Sequence, residues 1–154
     1  IFIHFTKNME YQIKQLEKTD LIKYIDSYIE TLQNLSKVWE LDLEKTINTL
    51  EKIENQQTKI YVAINQEKWI IWSISLLLEQ KFFRWWWLAA HIEDVVIRKW
   101  FEWLGIWNKL IQQAISTAKS QNCYKIILDC DQSLSKYYQK FWFENSWTFM
   151  RIYL

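Results

Sequence analysis

The stretch from His91 to Phe143 decides the fold. It runs H-I-E-D-V-V-I (His91–Ile97), R-K-W-F-E-W-L-G-I-W-N-K-L-I (Arg98–Ile111), N-C-Y-K-I-I-L-D-C (Asn122–Cys130) and S-K-Y-Y-Q-K-F-W-F (Ser135–Phe143). Ala90–Ile97 is rich in β-branched residues and reads as a strand. Ile106, Leu110, Ile111, Ala114, Ile115 and Ala118 then recur at helical spacing. Tyr124–Asp129 has the short, continuous apolar run of a buried strand. Ser133–Phe141 follows as a short helix. The order strand, loop, helix, strand, helix predicts an α/β domain.

Outward from that segment the pattern continues. Tyr11–Leu16 alternates and reads as a first strand. Thr19 or Asp20 is placed to cap a helix, whose Leu21, Ile22, Ile25, Tyr28, Ile29, Leu32 and Leu35 form one apolar stripe. After Asp42, Leu43, Ile47, Leu50 and Ile53 mark a second amphipathic helix. Lys59–Asn65 and Ile70–Glu79 read as a β-hairpin around Gln66–Trp69, and Thr148–Leu154 as a closing strand. The whole order is β-α-α-β-β-β-α-β-α-β, a mixed central sheet with about four helices. A length of 154 residues suits one domain, 1–154, with one sizeable core.

Composition narrows the function classes. Net charge is +1, so no footprint for nucleic acid or for an anionic membrane is present. The apolar run Trp69–Leu78 is broken by Ser73 and Ser75 and is too short to cross a bilayer. No basic leader is read at the start, hence no secretory signal. Cys123 and Cys130 have neither metal-ligand spacing nor a His or Cys cluster around them. They read as reduced, packed thiols of a cytoplasmic protein, with no metal. His4 and His91 offer no triad or metal geometry, and His91 reads as packing or capping a strand start.

One feature of the composition is anomalous. Average usage would give roughly 11 Gly and roughly 8 Pro in such a length, whereas this chain has 1 Gly, no Pro and 11 Trp. Strand-turn-helix joints need residues that tolerate positive φ, which Gly supplies. Here Trp stands where joints belong: Trp69 at a turn between strands, Trp39 after the first helix, Trp85-Trp86-Trp87 before a strand, Trp142 after a helix, and Trp147 in a late turn. Two readings compete. In one the indoles are genuine and build an aromatic-rich core or surface. In the other many of these positions are UGA codons decoded as glycine by the organism. Richness in Ile, Lys and Asn fits the AU-rich genome that would also deplete Pro.

The His91–Phe143 segment resembles the acyl-CoA-binding core of the GNAT superfamily, and within it the glucosamine 6-phosphate N-acetyltransferases. The resemblance is strong from about Lys81 to Phe143 and weak before Asn65. It implies the GNAT fold, acetyl-CoA as co-substrate, an amino sugar phosphate as acceptor, and a homodimer whose C-terminal strand enters the partner's site. Glu102-Trp103-Leu104-Gly105-Ile106-Trp107 resembles the family's R/Q-x-x-G-x-G/A loop, which cradles pyrophosphate at a helix N-terminus. Gly105 matches the first glycine and Trp107 stands at the second. Glu102 replaces Arg or Gln, an unfavourable charge beside pyrophosphate. Y-Y-Q-K-F-W-F resembles F-Y-E-K-x-G-F. The match puts Tyr138 at the Tyr that serves the leaving sulfur, and Tyr137 at a packing Phe beside the cofactor.

The remaining site residues follow from the same resemblance. It assigns Glu93 and Asp94 to the amino sugar, and the backbone of Val95 and Val96 to acyl-CoA. Alternation along a strand points Glu93 and Asp94 to opposite faces. Asp129 matches an acid near the sugar amine, with capping of the next helix as the other reading. Lys81, Arg84 and Arg151 are the cation candidates for the substrate phosphate, although the family's register falls on Tyr153, which shares a strand face with Arg151. Ser36 and Lys37 fall where the family contacts substrate from the turn between its first helices. Leu134 replaces an Asn used near the cofactor. The expected reaction is acetyl transfer to glucosamine 6-phosphate, toward UDP-N-acetylglucosamine, by direct attack. Acetylation of another small amine or a peptide is the second reading. A non-catalytic interaction domain is the third, should the Trp residues be genuine.

Overall fold

A computed structural model describes residues 10–38, 41–82, 87–102, 105–146 and 150–153. Its strands are β1 (Tyr11–Gln15), β2 (Thr58–Asn65), β3 (Ile70–Gln80), β4 (Leu88–Ile97) and β5 (Cys123–Leu128). Its helices are α1 (Lys18–Leu32), α2 (Leu43–Asn55), α3 (Ile106–Ser120) and α4 (Ser135–Gln139), the last preceded by a 3₁₀ turn at Gln132–Leu134. The strands form one five-stranded sheet in sequence order. Neighbours are antiparallel except β4 and β5, which run parallel. A parallel pair needs a crossover, and α3 is that crossover.

The helices cover both faces. On one, Leu21 and Tyr28 of α1 and Leu50 of α2 pack on Ile60, Val62 and Ile70. On the other, Leu110, Ile111, Ala114 and Ala118 of α3 bury against Ala63, Trp72, Ile74 and Leu76. The Tyr61 and Thr117 hydroxyls pair at 2.8 Å and satisfy each other inside that layer. Across the sheet, Ser27 Oγ accepts from Ile70 N–H at 2.7 Å, and Thr31 Oγ1 donates to the Ile70 carbonyl. These bonds pin α1 to the start of β3, where the β2–β3 register shifts.

Local physics corrects several expectations. Helix α1 starts earlier than the Thr19 or Asp20 cap implies, because Glu17 is its N-cap. Asp20 sits in the first turn, accepting from the Glu17 N–H at 2.9 Å and pairing with Lys14 at 2.9 Å. Ile22 is exposed and lies off the apolar stripe. Asp42 does cap α2, accepting from Lys45 N–H at 2.7 Å. In the β2–β3 turn the left-handed residue is Lys68, φ 63°, so Trp69 needs no glycine-like backbone there. His91 lies inside β4 and meets Glu79 at 2.9 Å. Cys130 is exposed, not packed. Of the expected last strand, Met150–Tyr153 form no strand; 148, 149 and 154 lie outside the described residues, as do His4, Trp39, Trp85, Trp86 and Trp147.

Among the described residues two tryptophans do adopt a left-handed backbone: Trp100 at φ 78° and Trp142 at φ 70°. For a bulky L-residue that conformation costs about 1–2 kcal/mol. Trp142 also leaves its ring in solvent, 93% exposed, so no packing offsets the strain.

Leu110 is fully buried between α3 and the sheet. Leu110→Ala is expected to cost about 2–5 kcal/mol, read as a lower urea midpoint with an unchanged denaturant slope.

Candidate active site

Strands β4 and β5 pair only from Leu88↔Cys123 to Ile92↔Leu128. Beyond that point they part. The gap opens into a cleft of about 260 Å³ lined by residues of both strands, by α3, and by the α4 segment. From β4 come Glu93, Asp94 and Val95; from β5 and its end come Leu128, Asp129, Cys130 and Asp131; Trp107, Leu134 and Tyr138 close the far side.

A bulge shapes the β4 wall. Ser75 pairs with Glu93 and Ser73 with Val96, so β4 carries one residue more than β3 opposite Ile74. Asp94 takes φ 48° within it. Such an insertion re-aims side chains. Glu93 and Asp94 therefore both line the cleft, instead of facing opposite sides of the sheet, and Asp94 also reaches an apolar hollow between α1, α2 and the sheet. Asp94 and Val95 drop out of the β3 ladder. Val95 borders the cleft. Val96 is buried and registers with Ser73, so its side chain belongs to the core.

Electrostatics separates the acids. Burial, then the charges of Asp129 and Asp94, push the Glu93 carboxyl above the usual range, with His91 opposing. Asp131, not Asp129, caps the 3₁₀ turn, accepting from Ser133 N–H at 2.9 Å. Those bonds hold Asp131 below the usual range. Burial, with Asp131 and Asp129 adding, pushes the Cys130 thiol up, which disfavours the thiolate a nucleophile needs.

An aromatic cluster forms the opposite wall. Tyr138 is buried, and burial pushes its phenol up to about 12. Tyr137 donates to Asn108 Oδ1 at 2.5 Å, fastening α4 to the first turn of α3. Trp107 lies 4.7 Å from Tyr137 and 6.0 Å from Tyr138, centroid to centroid. Trp72, from β3, meets Trp107 edge-on at 5.6 Å. Both indoles bury an Nε1–H that makes no hydrogen bond of normal geometry. Trp107 comes close enough to Tyr138 to temper its pKa, but not to satisfy the donor. A buried orphan donor costs about 1–3 kcal/mol.

The loop before α3 is partly in view. Gly105 is the N-cap of α3 at φ 65°, with open space where a Cβ would point. Ile106 is buried and Glu102 exposed. Trp103 and Leu104 lie outside the described residues, as does Arg84. Lys81 does not reach the cleft: it pairs with Glu79, which also holds His91. Ser36 is exposed and its neighbour Leu35 is what lines the cleft. Arg151 is exposed, donates to the Tyr153 hydroxyl at 2.9 Å, and feels the charge of Asp129. Sequence reading missed Leu35, Cys130, Asp131 and Trp72. Leu35 and Cys130 had a signal, adjoining Ser36 and Asp129, and Asp131 lies two residues beyond Asp129; Trp72 sat in mid-strand with none. Among the described residues no cluster of three or more His, Cys, Asp or Glu is arranged to hold a metal, and no helix is long and apolar enough to cross a membrane.

This fold is shared with solved proteins. An acetyltransferase of Trypanosoma brucei superposes with a TM-score of 0.88 at 28% identity, covering 94% of this chain and 100% of that one. The glucosamine-6-phosphate N-acetyltransferase of Arabidopsis thaliana superposes with a TM-score of 0.85 at 29% identity, covering 94% and 98%. No protein-family model matches. The five-stranded sheet and its four helices are thus those of a GNAT acetyltransferase. In sequence, glucosamine 6-phosphate N-acetyltransferase 1 of Dictyostelium discoideum is 30% identical over 138 residues, 88% of this chain and 87% of that protein. The chain belongs to the glucosamine 6-phosphate N-acetyltransferase family.

The phenol pKa has a consequence for stability. Tyr138 rises from 10.0 to about 12 on folding. Between those values the unfolded chain has lost a proton that the native chain keeps, so stability falls as pH rises through that window. Tyr28 and Tyr137, also raised to about 12, add in the same sense. Thermal unfolding measured against pH should show this alkaline decline, made shallower by Tyr138→Phe.

Proposed function

We propose that this chain transfers acetyl from acetyl-CoA to the amine of glucosamine 6-phosphate by direct attack, with no acyl-enzyme. The observation that supports this reading best is the pairing across the cleft. A carboxyl with a raised pKa, Glu93, stands on one wall and a protonated phenol, Tyr138, on the other. Amine acetylation needs a proton acceptor on one side of the thioester and a donor on the other.

In the proposed mechanism Glu93 takes the proton from the substrate amine and Asp129 orients it, with Asp94 holding a sugar hydroxyl. The nitrogen attacks the thioester carbon. The backbone N–H of Val95, released from the ladder by the bulge, polarises the carbonyl oxygen as negative charge develops. The C–S bond then breaks, and Tyr138 O–H gives its proton to the sulfur. With a pKa near 12, the phenolate recovers a proton at once. The α3 N-terminus, from Glu102 through Trp103, Leu104, Gly105 and Ile106 to Trp107, receives the pyrophosphate, with Val96 and Tyr137 as its supports. Arg151 with Tyr153 is the favoured phosphate clamp. Arg84 and Ser36 remain lesser candidates, and Lys81 is drawn away by Glu79.

The reading extends to a single domain, a cytoplasmic setting, supply of UDP-N-acetylglucosamine synthesis, and no metal, nucleic acid or membrane partner. A homodimer is part of it: Met150, Ile152 and Tyr153 are exposed, an apolar segment suited to a second copy.

The test is acetyl-CoA-dependent thiol release with glucosamine 6-phosphate, using protein as its own organism makes it. Turnover with this amine above other amines supports the proposal, and preference for a different amine removes it. Tyr138→Phe should lower kcat by about 10²-fold with little change in KM. Glu93→Gln should abolish the acid limb of the kcat/KM profile, whose midpoint lies above the ordinary Glu value. Arg151→Ala should raise KM for the sugar phosphate about tenfold while leaving kcat in place.

A further inference from the structure

We propose that positions 72, 100, 107 and 142 are glycine in the protein as its organism makes it, and that the indoles written at 72 and 107 fill the space in which the acyl-CoA arm lies. The second half of this rests on the acetyl-CoA reading; the first half does not.

Separate physical signs converge on these residues. Trp100 and Trp142 hold a left-handed backbone, φ 78° and 70°, which glycine adopts freely and bulky residues resist. Trp142 has 93% of its surface in solvent, so the strained position gains no packing. Among the described residues, Trp72 and Trp107 carry the side-chain atoms that are buried without a hydrogen bond. Genuine buried indoles ordinarily find a partner for N–H. The two rings touch, 5.6 Å between centroids. Trp107 then continues the contact to Tyr137 and Tyr138 at the cleft. Trp107 lines the cleft and Trp72 touches it from behind, so removing both rings would extend the cleft toward the interior beside β3. A thioester-bearing arm needs such a passage to bring its sulfur to Tyr138.

The signs also discriminate. Trp69 packs edge-on against Phe101 at 6.3 Å and lies under Arg98 at 4.9 Å, and its turn takes the left-handed strain at Lys68 instead. The structure gives no reason to replace it on those grounds. The chain's composition, with 11 Trp to 1 Gly, is what UGA codons decoded as glycine would leave behind when written as tryptophan.

The decisive measurement is peptide mass spectrometry on the protein isolated from its source organism. Peptides spanning 72, 100, 107 and 142 should carry the mass of glycine at each position. Tryptophan masses there would overturn the proposal, whatever the enzyme acetylates. A second experiment tests the passage. The written chain and its Trp72→Gly/Trp107→Gly variant are titrated with CoA by calorimetry. The variant should bind at least about tenfold more tightly; equal or weaker binding would overturn the placement of the arm. Trp100→Gly and Trp142→Gly should each raise the melting temperature, and a fall would count against glycine at those positions. Glycine masses combined with no turnover on glucosamine 6-phosphate would remove the substrate assignment and leave this inference standing.

Discussion

The parting of β4 from β5 is the constraint on which the rest depends. Parallel pairing holds as far as Ile92 and Leu128. Just beyond it, the bulge at Asp94 gives β4 an extra residue against β3. A strand bent at a bulge cannot follow both neighbours. Here β4 stays with β3, where Val96 and Ile97 regain register with Ser73 and Trp72, and leaves β5. The backbone groups and side chains released on both edges become the walls of the cleft.

Everything chemically distinctive is attached to that opening. The bulge turns two neighbouring acids toward one space, and burial, followed by repulsion from Asp129 and Asp94, raises Glu93. The same widening admits the α4 segment, whose Tyr138 is driven above its ordinary pKa chiefly by burial. Both shifts arise beside one irregularity in the sheet. The crossover helix α3 is anchored by a fully buried apolar face, which fixes its N-terminus beside the cleft.

Much of the fold was legible from periodicity. The apolar spacing of Ile106–Ala118, the buried run Tyr124–Asp129 and the acid cap at Asp42 each specify an element through local physics, and each appears within a residue or two of its expected place. Expectations failed where contacts outside an element's own periodicity intervene. Alternation could not place Glu93 and Asp94, because the bulge arises only against β3. Capping, the other reading of Asp129, falls to Asp131, which takes that bond. Lys81 looked like a phosphate ligand until Glu79, its neighbour along the chain, was seen to claim it.

What the amino-acid sequence determined alone was the succession of elements, the family resemblance, and the imbalance of tryptophan over glycine, since each is carried by order and composition. What only tertiary structure decided was which side chains share the cleft, which carboxyl is raised, and which indoles are strained or left without a partner. Those properties depend on distances between segments far apart in the chain, and on the loss of water around them, and neither exists before the sheet closes.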